Sequence, residues 1–211
     1  MVNRNLTIPF EFVCFTENPE GLNSEITVMQ LPVIAANGWW YKPMFFNTKL
    51  GIEGTVLFLD LDVIVFRNID NLFTYEPSKF CIIRDFNRVN TKHLTRVNSS
   101  VFRVTTGQFC EVWDDFVKDV ANTSRRFHGD QDWIYSKINK SSDFTYWPDE
   151  WIQSYKWEMR KKAPLIKDKN GRRDFKQPGS PTILNDTSIA VFHGDPNPDS
   201  CCDDWCKENW R

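Results

Sequence analysis

Thr55-Val56-Leu57-Phe58-Leu59-Asp60-Leu61-Asp62-Val63-Ile64-Val65-Phe66 is the stretch that decides how this chain is read. Residues 55 to 59 form an apolar run without polar alternation, which predicts a central strand covered on both faces. Val63 to Phe66 predicts a second, short strand. Between them, Asp60 and Asp62 stand at i and i+2 where the first strand ends, and the carboxyl edge of a sheet is where open α/β folds bind ligands. A carboxylate buried there without a partner is costly and two side by side repel, so a cation is the natural compensation. Hard oxygen ligands suit Mg²⁺ or Mn²⁺, and such an ion would in turn neutralise a diphosphate. The plainer reading, a pair of turn or N-cap carboxylates, fits less well with a pair enclosed by apolar runs on both sides.

Working outward, the pattern alternates. Phe10 to Thr16 and Ile26 to Met29 read as strands, and Trp39 to Leu50 as a helix packed on the sheet, with Pro43 restricting its first turn. After the Asp-Leu-Asp segment, Asn68 to Phe73 reads as a turn with a short helix, and Phe80 to Arg84 and Val97 to Val104 as strands. Thr106 to Ala121 reads as an amphipathic helix with Phe109, Val112, Trp113, Phe116 and Val120 on its core face. Asp130 to Ile138 is a further helix, and Phe144 to Trp147 and Ser188 to His193 complete the strands. Arg160 to Pro181, rich in Lys, Arg, Gly and Pro, reads as a solvated loop able to contact a diphosphate or an acidic acceptor. The expectation is an α/β class domain spanning 1–211, with a mostly parallel central sheet flanked by helices and 199–211 as a C-terminal tail.

The chain has 211 residues, 41% apolar and 15% aromatic, enough for one sizeable core. Twenty-six Lys and Arg against 28 Asp and Glu leave a formal charge of -2, which offers no drive towards nucleic acid or anionic membrane. No apolar run suggests a signal peptide or a membrane span, so the location reads as cytoplasmic, and the sequons at Asn5, Asn98, Asn122, Asn139 and Asn185 read as incidental. Cys14, Cys81 and Cys110 read as small buried hydrophobes. Cys201, Cys202 and Cys206 lack the paired spacing of a structural zinc site.

Residues 56 to 73 resemble the Asp-x-Asp segment of glycogenin-like and lipopolysaccharide galactosyltransferase-like glycosyltransferases, a GT-A type family. The match continues in order over roughly residues 10 to 198. Asn98-Ser99-Ser100-Val101 resembles the family's Asn-Ser-Gly-Val strand, Asp130-Gln131-Asp132 its Asp-Gln-Asp helix start, and Val191 to Pro198 its terminal His-Gly-Lys-Pro element. The resemblance implies a metal-dependent glycosyltransferase with a UDP-sugar donor and retention of anomeric configuration. It implies that Asp60, Asp62 and His193 hold Mn²⁺ (or Mg²⁺), with Asp60 also at the ribose. Leu61, Asn98, Ser99, Gly194 and Asn197 join Asp60 and Asp62 around the donor. Asp130 would hydrogen-bond hydroxyls of the transferred sugar, and Gln131 would lie near the anomeric carbon. Read without the resemblance, both suit a helix cap and His193 suits a structural histidine.

Two departures stand out. The position of the family's terminal Lys, a diphosphate ligand, corresponds to Asn197, with Asp195 nearby where a basic residue is frequent. The family also begins with a strand and helix ahead of the segment matching Phe10 to Thr16, so the expectation is a start internal to a longer reading frame. Two alternatives remain at this point. One is a catalytically inert nucleotide-sugar or glycan-binding homologue, with Trp39, Trp40, Trp147, Trp151 and Trp157 available to stack on sugars; the segment Tyr146 to Trp157 is the expected acceptor side. The other is a haloacid-dehalogenase-like phosphohydrolase, which would also need a downstream Lys and an acidic pair after a second buried strand, whereas Asp203-Asp204 follows two cysteines and no such strand.

Overall fold

The computed structural model describes residues 1–89, 96–160 and 179–210. In chain order it contains helix α1 (Val2–Asn5), strands β1 (Val13–Phe15) and β2 (Thr27–Met29), a 3₁₀ helix (Gly38–Phe46), strands β3 (Thr55–Leu59) and β4 (Val63–Val65), and helix α2 (Asn71–Thr74). Strands β5 (Phe80–Arg84) and β6 (Val97–Thr105) lead to helices α3 (Glu111–Phe116), α4 (Val120–Arg126) and α5 (Asp130–Ile138). Strands β7 (Phe144–Tyr146) and β8 (Ile152–Ser154), a π-helical turn (Tyr155–Met159), strand β9 (Ile189–Val191) and helix α6 (Asp204–Asn209) complete the described elements. Two compact units result: Met1–Thr7, Thr55–Thr105 and Ser141–Arg211 form the first, and Ile8–Gly54 with Thr106–Lys140 the second.

The first unit holds a four-stranded sheet in the order β3-β6-β5-β7 and a three-stranded sheet in the order β4-β9-β8. The α/β class is as the sequence indicates, but the pairing is mixed rather than mostly parallel. β6 runs antiparallel to both β3 and β5, and β9 antiparallel to β4, while β5–β7, β8–β9 and β1–β2 are parallel. The reason is topological: β6 returns between β3 and β5, so each of its ladders reverses direction. β3 also differs from the buried central strand expected of its apolar run. It is the outer strand of its described sheet and only half-buried, whereas all of β4 is buried. An apolar run reports low polarity, not the number of neighbours a strand acquires.

Ile64, Tyr155, Met159, Ala190, Phe192, Cys201 and Cys206 form one buried cluster of this unit. The segment read as a tail is therefore part of the core. Asp203 is fully buried there and accepts hydrogen bonds from Arg160 Nη1 at 2.8 Å, from the Gly179 N–H at 2.7 Å and from the Tyr155 hydroxyl. A second anchor is Arg103 on β6, which is 1% exposed and donates to the carbonyls of Leu72, Phe73, Tyr75, Glu76 and Lys79.

In the second unit the expected helix at 39–50 is a 3₁₀ helix, with Pro43 inside it supplying no N–H for an α-helical ladder. Trp40 stacks on Phe116 of α3 with ring centroids 5.7 Å apart, and Phe116 in turn tilts against Trp133 of α5. The helix expected over 106–121 is shorter and broken. α3 ends at Phe116, and the Asp119 carboxylate accepts the Asn122 N–H to open α4 as a new helix. No helix among the described residues is long and apolar enough to cross a membrane.

Candidate functional site

The Asp-Leu-Asp segment is tied down at both ends by its backbone. The Asp60 N–H donates to Ser100 O at 2.8 Å, and Asp62 O accepts from the Phe192 N–H at 2.9 Å. The first bond depends on an irregularity in β6. Ile82 of β5 pairs with Phe102, yet the next residue, Ile83, pairs with Asn98. Ser99, Ser100 and Val101 are thus the extra residues of a bulge, with Asn98 Oδ1 accepting the Ser100 N–H at 3.0 Å across it. Bulges of this kind re-aim a strand beside a site. Here it brings Asn98, Ser99 and Ser100 against the start of the carboxylate pair.

The second bond extends the β4–β9 ladder. Val63 pairs with Val191 in antiparallel register, so Asp62 lies opposite Phe192, and His193 follows at the same end of the sheet. Leu61, between the two carboxylates, is 90% exposed. The sequence-predicted residues Asp60, Leu61, Asp62, Asn98, Ser99 and His193 therefore share one edge of the first unit. Gly194 and Asn197 continue the same loop. Gly194 takes φ of +78°, a conformation favourable to glycine, and the Asn197 N–H donates to Ser200 Oγ at 3.0 Å in a turn.

His193 is held by residues that sequence reading did not single out. Its Nε2 lies 2.6 Å from Ser154 Oγ, and its ring is stacked against Phe86 and met edge-on by Trp157. Burial, then the nearby Lys156 charge, lowers its pKa from the ordinary 6.5 to about 4. The imidazole is neutral at pH 7, the state a metal ligand requires. Because the unfolded state takes up this proton first, the stabilising contribution is complete above pH 6.5 and is lost as pH falls towards 4. In metal-free protein, NMR should show His193 titrating near 4, and urea melts should lose on the order of 3 kcal/mol or less between pH 7 and 4 from this group. A titration near 6.5 would remove the argument.

Lys156 is the other unanticipated residue. It rises from the π-helical turn, whose geometry is fixed by Ser154 Oγ accepting the Trp157 N–H at 3.1 Å and by Glu158 Oε2 accepting the Ser154 N–H at 2.8 Å. Such single π-turns are frequent at functional sites. Its amine donates to His193 O and, at 2.9 Å, to Asp195 O.

As a metal centre, the donor set of two carboxylates and a neutral imidazole suits Mn²⁺. Asp62 and His193 are brought to one sheet end by the ladder itself. Among the described residues, however, no three His, Cys, Asp or Glu side chains are already gathered as a cage.

Asp130 and Gln131 belong to the second unit, at the start of α5. Asp130 is 5% exposed and pairs with Lys42 of the 3₁₀ helix at 3.8 Å, while Gln131 is half-buried. A carboxylate this buried needs a partner, and Lys42, within Trp-Trp-Tyr-Lys-Pro, was legible only as one residue of an aromatic run. The aromatic segment at Tyr146 to Trp157 does not form an open acceptor face: Trp147 and Tyr155 are buried and Trp151 packs edge-on against Tyr75. Trp39, by contrast, is 59% exposed. The basic stretch lies outside the described residues except for Arg160 and 179–181, and Arg160 is committed to Asp203. That same ion pair occupies the carboxylate that the phosphohydrolase alternative would need.

No protein-family profile and no curated protein sequence matches this chain. Solved structures do. A galactosyltransferase, LgtC, in complex with donor and acceptor sugar analogues superposes with a TM-score of 0.56 at 13% identity, covering 90% of this chain and 75% of that one. An active-site mutant of LgtC gives 0.52 at 14% identity over the same shares of 90% and 75%. The glycosyltransferase GlyE of Streptococcus pneumoniae TIGR4 gives 0.51 at 13% identity, covering 82% of this chain and 42% of that one. The chain has the GT-A fold of these glycosyltransferases.

Proposed function

We propose that this chain is a metal-dependent glycosyltransferase that moves a sugar from a UDP-sugar to an acceptor, with retention, and that Asp60, Asp62 and His193 hold the Mn²⁺ (or Mg²⁺). The observation that carries the reading is the convergence of separate sequence motifs in space. Asp60 is bonded to Ser100 in the β6 bulge beside Asn98, and Asp62 to the strand that delivers His193. The GT-A fold, shared with a galactosyltransferase crystallised with donor and acceptor analogues, supports a nucleotide-sugar donor.

When bound, the divalent cation supplies Lewis-acid stabilisation to the leaving nucleoside diphosphate. The chain's own residues orient the reactants. Asp60 and Asp62 would hold that cation at the end of β3, with Asp60 also reaching the ribose, Asn98 and Ser99 would line the donor beside them, and Ser154 keeps the His193 ring in place through its Nε2.

The test is calorimetric titration of UDP into the full chain, with and without Mn²⁺. Binding should strengthen on the order of a hundredfold when the metal is present, as expected where the ion bridges ligand and protein. UDP affinity indifferent to Mn²⁺ would refute a metal-bridged donor site, and UDP-sugar hydrolysis measured alongside separates a transferase from an inert binder.

A further inference from the structure

We infer that Lys156 is the protein cation that binds the diphosphate of the nucleotide, through the loop carrying His193 to Asp195; this rests on the donor reading above. The charge arithmetic of the site requires such a group. Asp195 lies in the loop itself and Asp60 and Asp62 lie at the same edge of the unit, so a diphosphate arriving there adds further negative charge that one divalent ion does not cancel. The terminal element supplies no cation of its own, since it carries Asp195 and Asn197.

Lys156 meets this requirement by position. Although it lies 37 residues before His193 in sequence, its Nζ sits beneath the loop, bonded to His193 O and Asp195 O. Gly194 lies over it without a side chain: a Cβ placed there would be 3.7 Å from Nζ. The carboxylates of Asp195 and Asp62 both act on its charge. An ammonium has three N–H donors, and the two carbonyls take two of them. Among the described residues no third acceptor is present.

The side chain is 5% exposed, so its charge is held in a fixed place rather than waving on a flexible stem. The two direct partners are neutral carbonyls and the Asp195 and Asp62 carboxylates act on the ammonium without a hydrogen bond to it, so a directly bonded phosphate oxygen completes the donor set. A phosphate oxygen fits a compact point charge of this kind, and the mouth of the loop, with Gly194 exposed, admits it.

The experiment compares UDP and UMP binding, with Mn²⁺ present, in wild type and Lys156→Met. The expected result is a loss of about tenfold or more in UDP affinity with a much smaller loss for UMP, so that the preference for the diphosphate collapses. A purely structural lysine would weaken both nucleotides equally, and that outcome overturns the inference, as does unchanged UDP binding. If Lys156→Met melts before it can be titrated, ¹⁵N-lysine NMR of the wild type with UDP and Mg²⁺ decides. The Lys156 ammonium resonance should shift with UDP and hold still with uridine, and a resonance indifferent to UDP refutes the assignment. Failure of wild type to bind UDP at all with Mn²⁺ is the separate result that removes the donor reading, and this inference with it.

Discussion

Arg103→Leu should leave the chain without a stable fold. The side chain is almost wholly buried on β6, between β3 and β5, and its guanidinium organises the segment that joins α2 to β5. Nη1 donates to Leu72 O at 2.7 Å, Phe73 O at 3.0 Å and Tyr75 O at 2.7 Å. Nη2 donates to Glu76 O at 2.6 Å, Lys79 O at 2.9 Å and Cys81 Sγ at 3.0 Å. Those carbonyls belong to the last residues of α2 and to the turn that follows it, and Glu76 within that turn takes a positive φ of 42°. A leucine fills part of the volume and satisfies none of them. Each abandoned acceptor costs about 1–3 kcal/mol, so losing a few is comparable with a whole domain's stability of about 5–15 kcal/mol. Arg103→Lys retains a charge but not the planar fork, and should recover only a minority of the loss. Urea denaturation followed by tryptophan fluorescence measures this directly. A leucine variant unfolding at the wild-type midpoint would show that the turn stands without the arginine.

Arg103 also shows where the sequence stops being legible. A lysine or arginine inside an apolar strand announces that something unusual is buried, but the acceptors it serves lie 22 to 31 residues earlier and no local pattern joins them. The same limit applies to Ser154 and Lys156. Their roles arise because β8 and β9 pair in parallel, Ser154 opposite Val191, which sets them under His193. By contrast, the carboxylate pair was readable because its signal is local: an apolar strand, two acids, another apolar strand. The α-helix boundary errors are local too, and follow from Asp119 acting as a cap where the amphipathic pattern ran on. Strand direction was the least legible feature of the fold. The alternation of strand and helix patterns is the same whether β6 enters beside β3 in parallel or antiparallel, so the pattern carried the class but not the mostly parallel pairing expected from it.

Asp62→Ala should abolish Mn²⁺-dependent UDP binding while leaving the fold nearly as stable as before. The two halves of this expectation have different origins. Asp62 contributes to the architecture through its carbonyl, which accepts the Phe192 N–H, and alanine keeps that bond. Its neighbour Leu61 is almost fully exposed, so the turn is not a packed core element and tolerates truncation. The function resides in the carboxylate. Removing a metal ligand outright should exceed the 10- to 100-fold loss typical of disturbing a supporting residue, so a decrease of more than about 100-fold in UDP affinity is expected. Asp62→Asn, which keeps the shape and removes the charge, should fall close to the alanine variant, because an anionic ligand is what a hard cation selects. Calorimetry with UDP and Mn²⁺, paired with thermal melts of both variants, separates the two contributions. Should Asp62→Ala bind UDP as wild type does, the carboxylate is not a ligand and the pair at the end of β3 is a turn. Should it lose binding only by unfolding, Asp62 is architectural, and Asp60 with His193 would have to carry the metal alone.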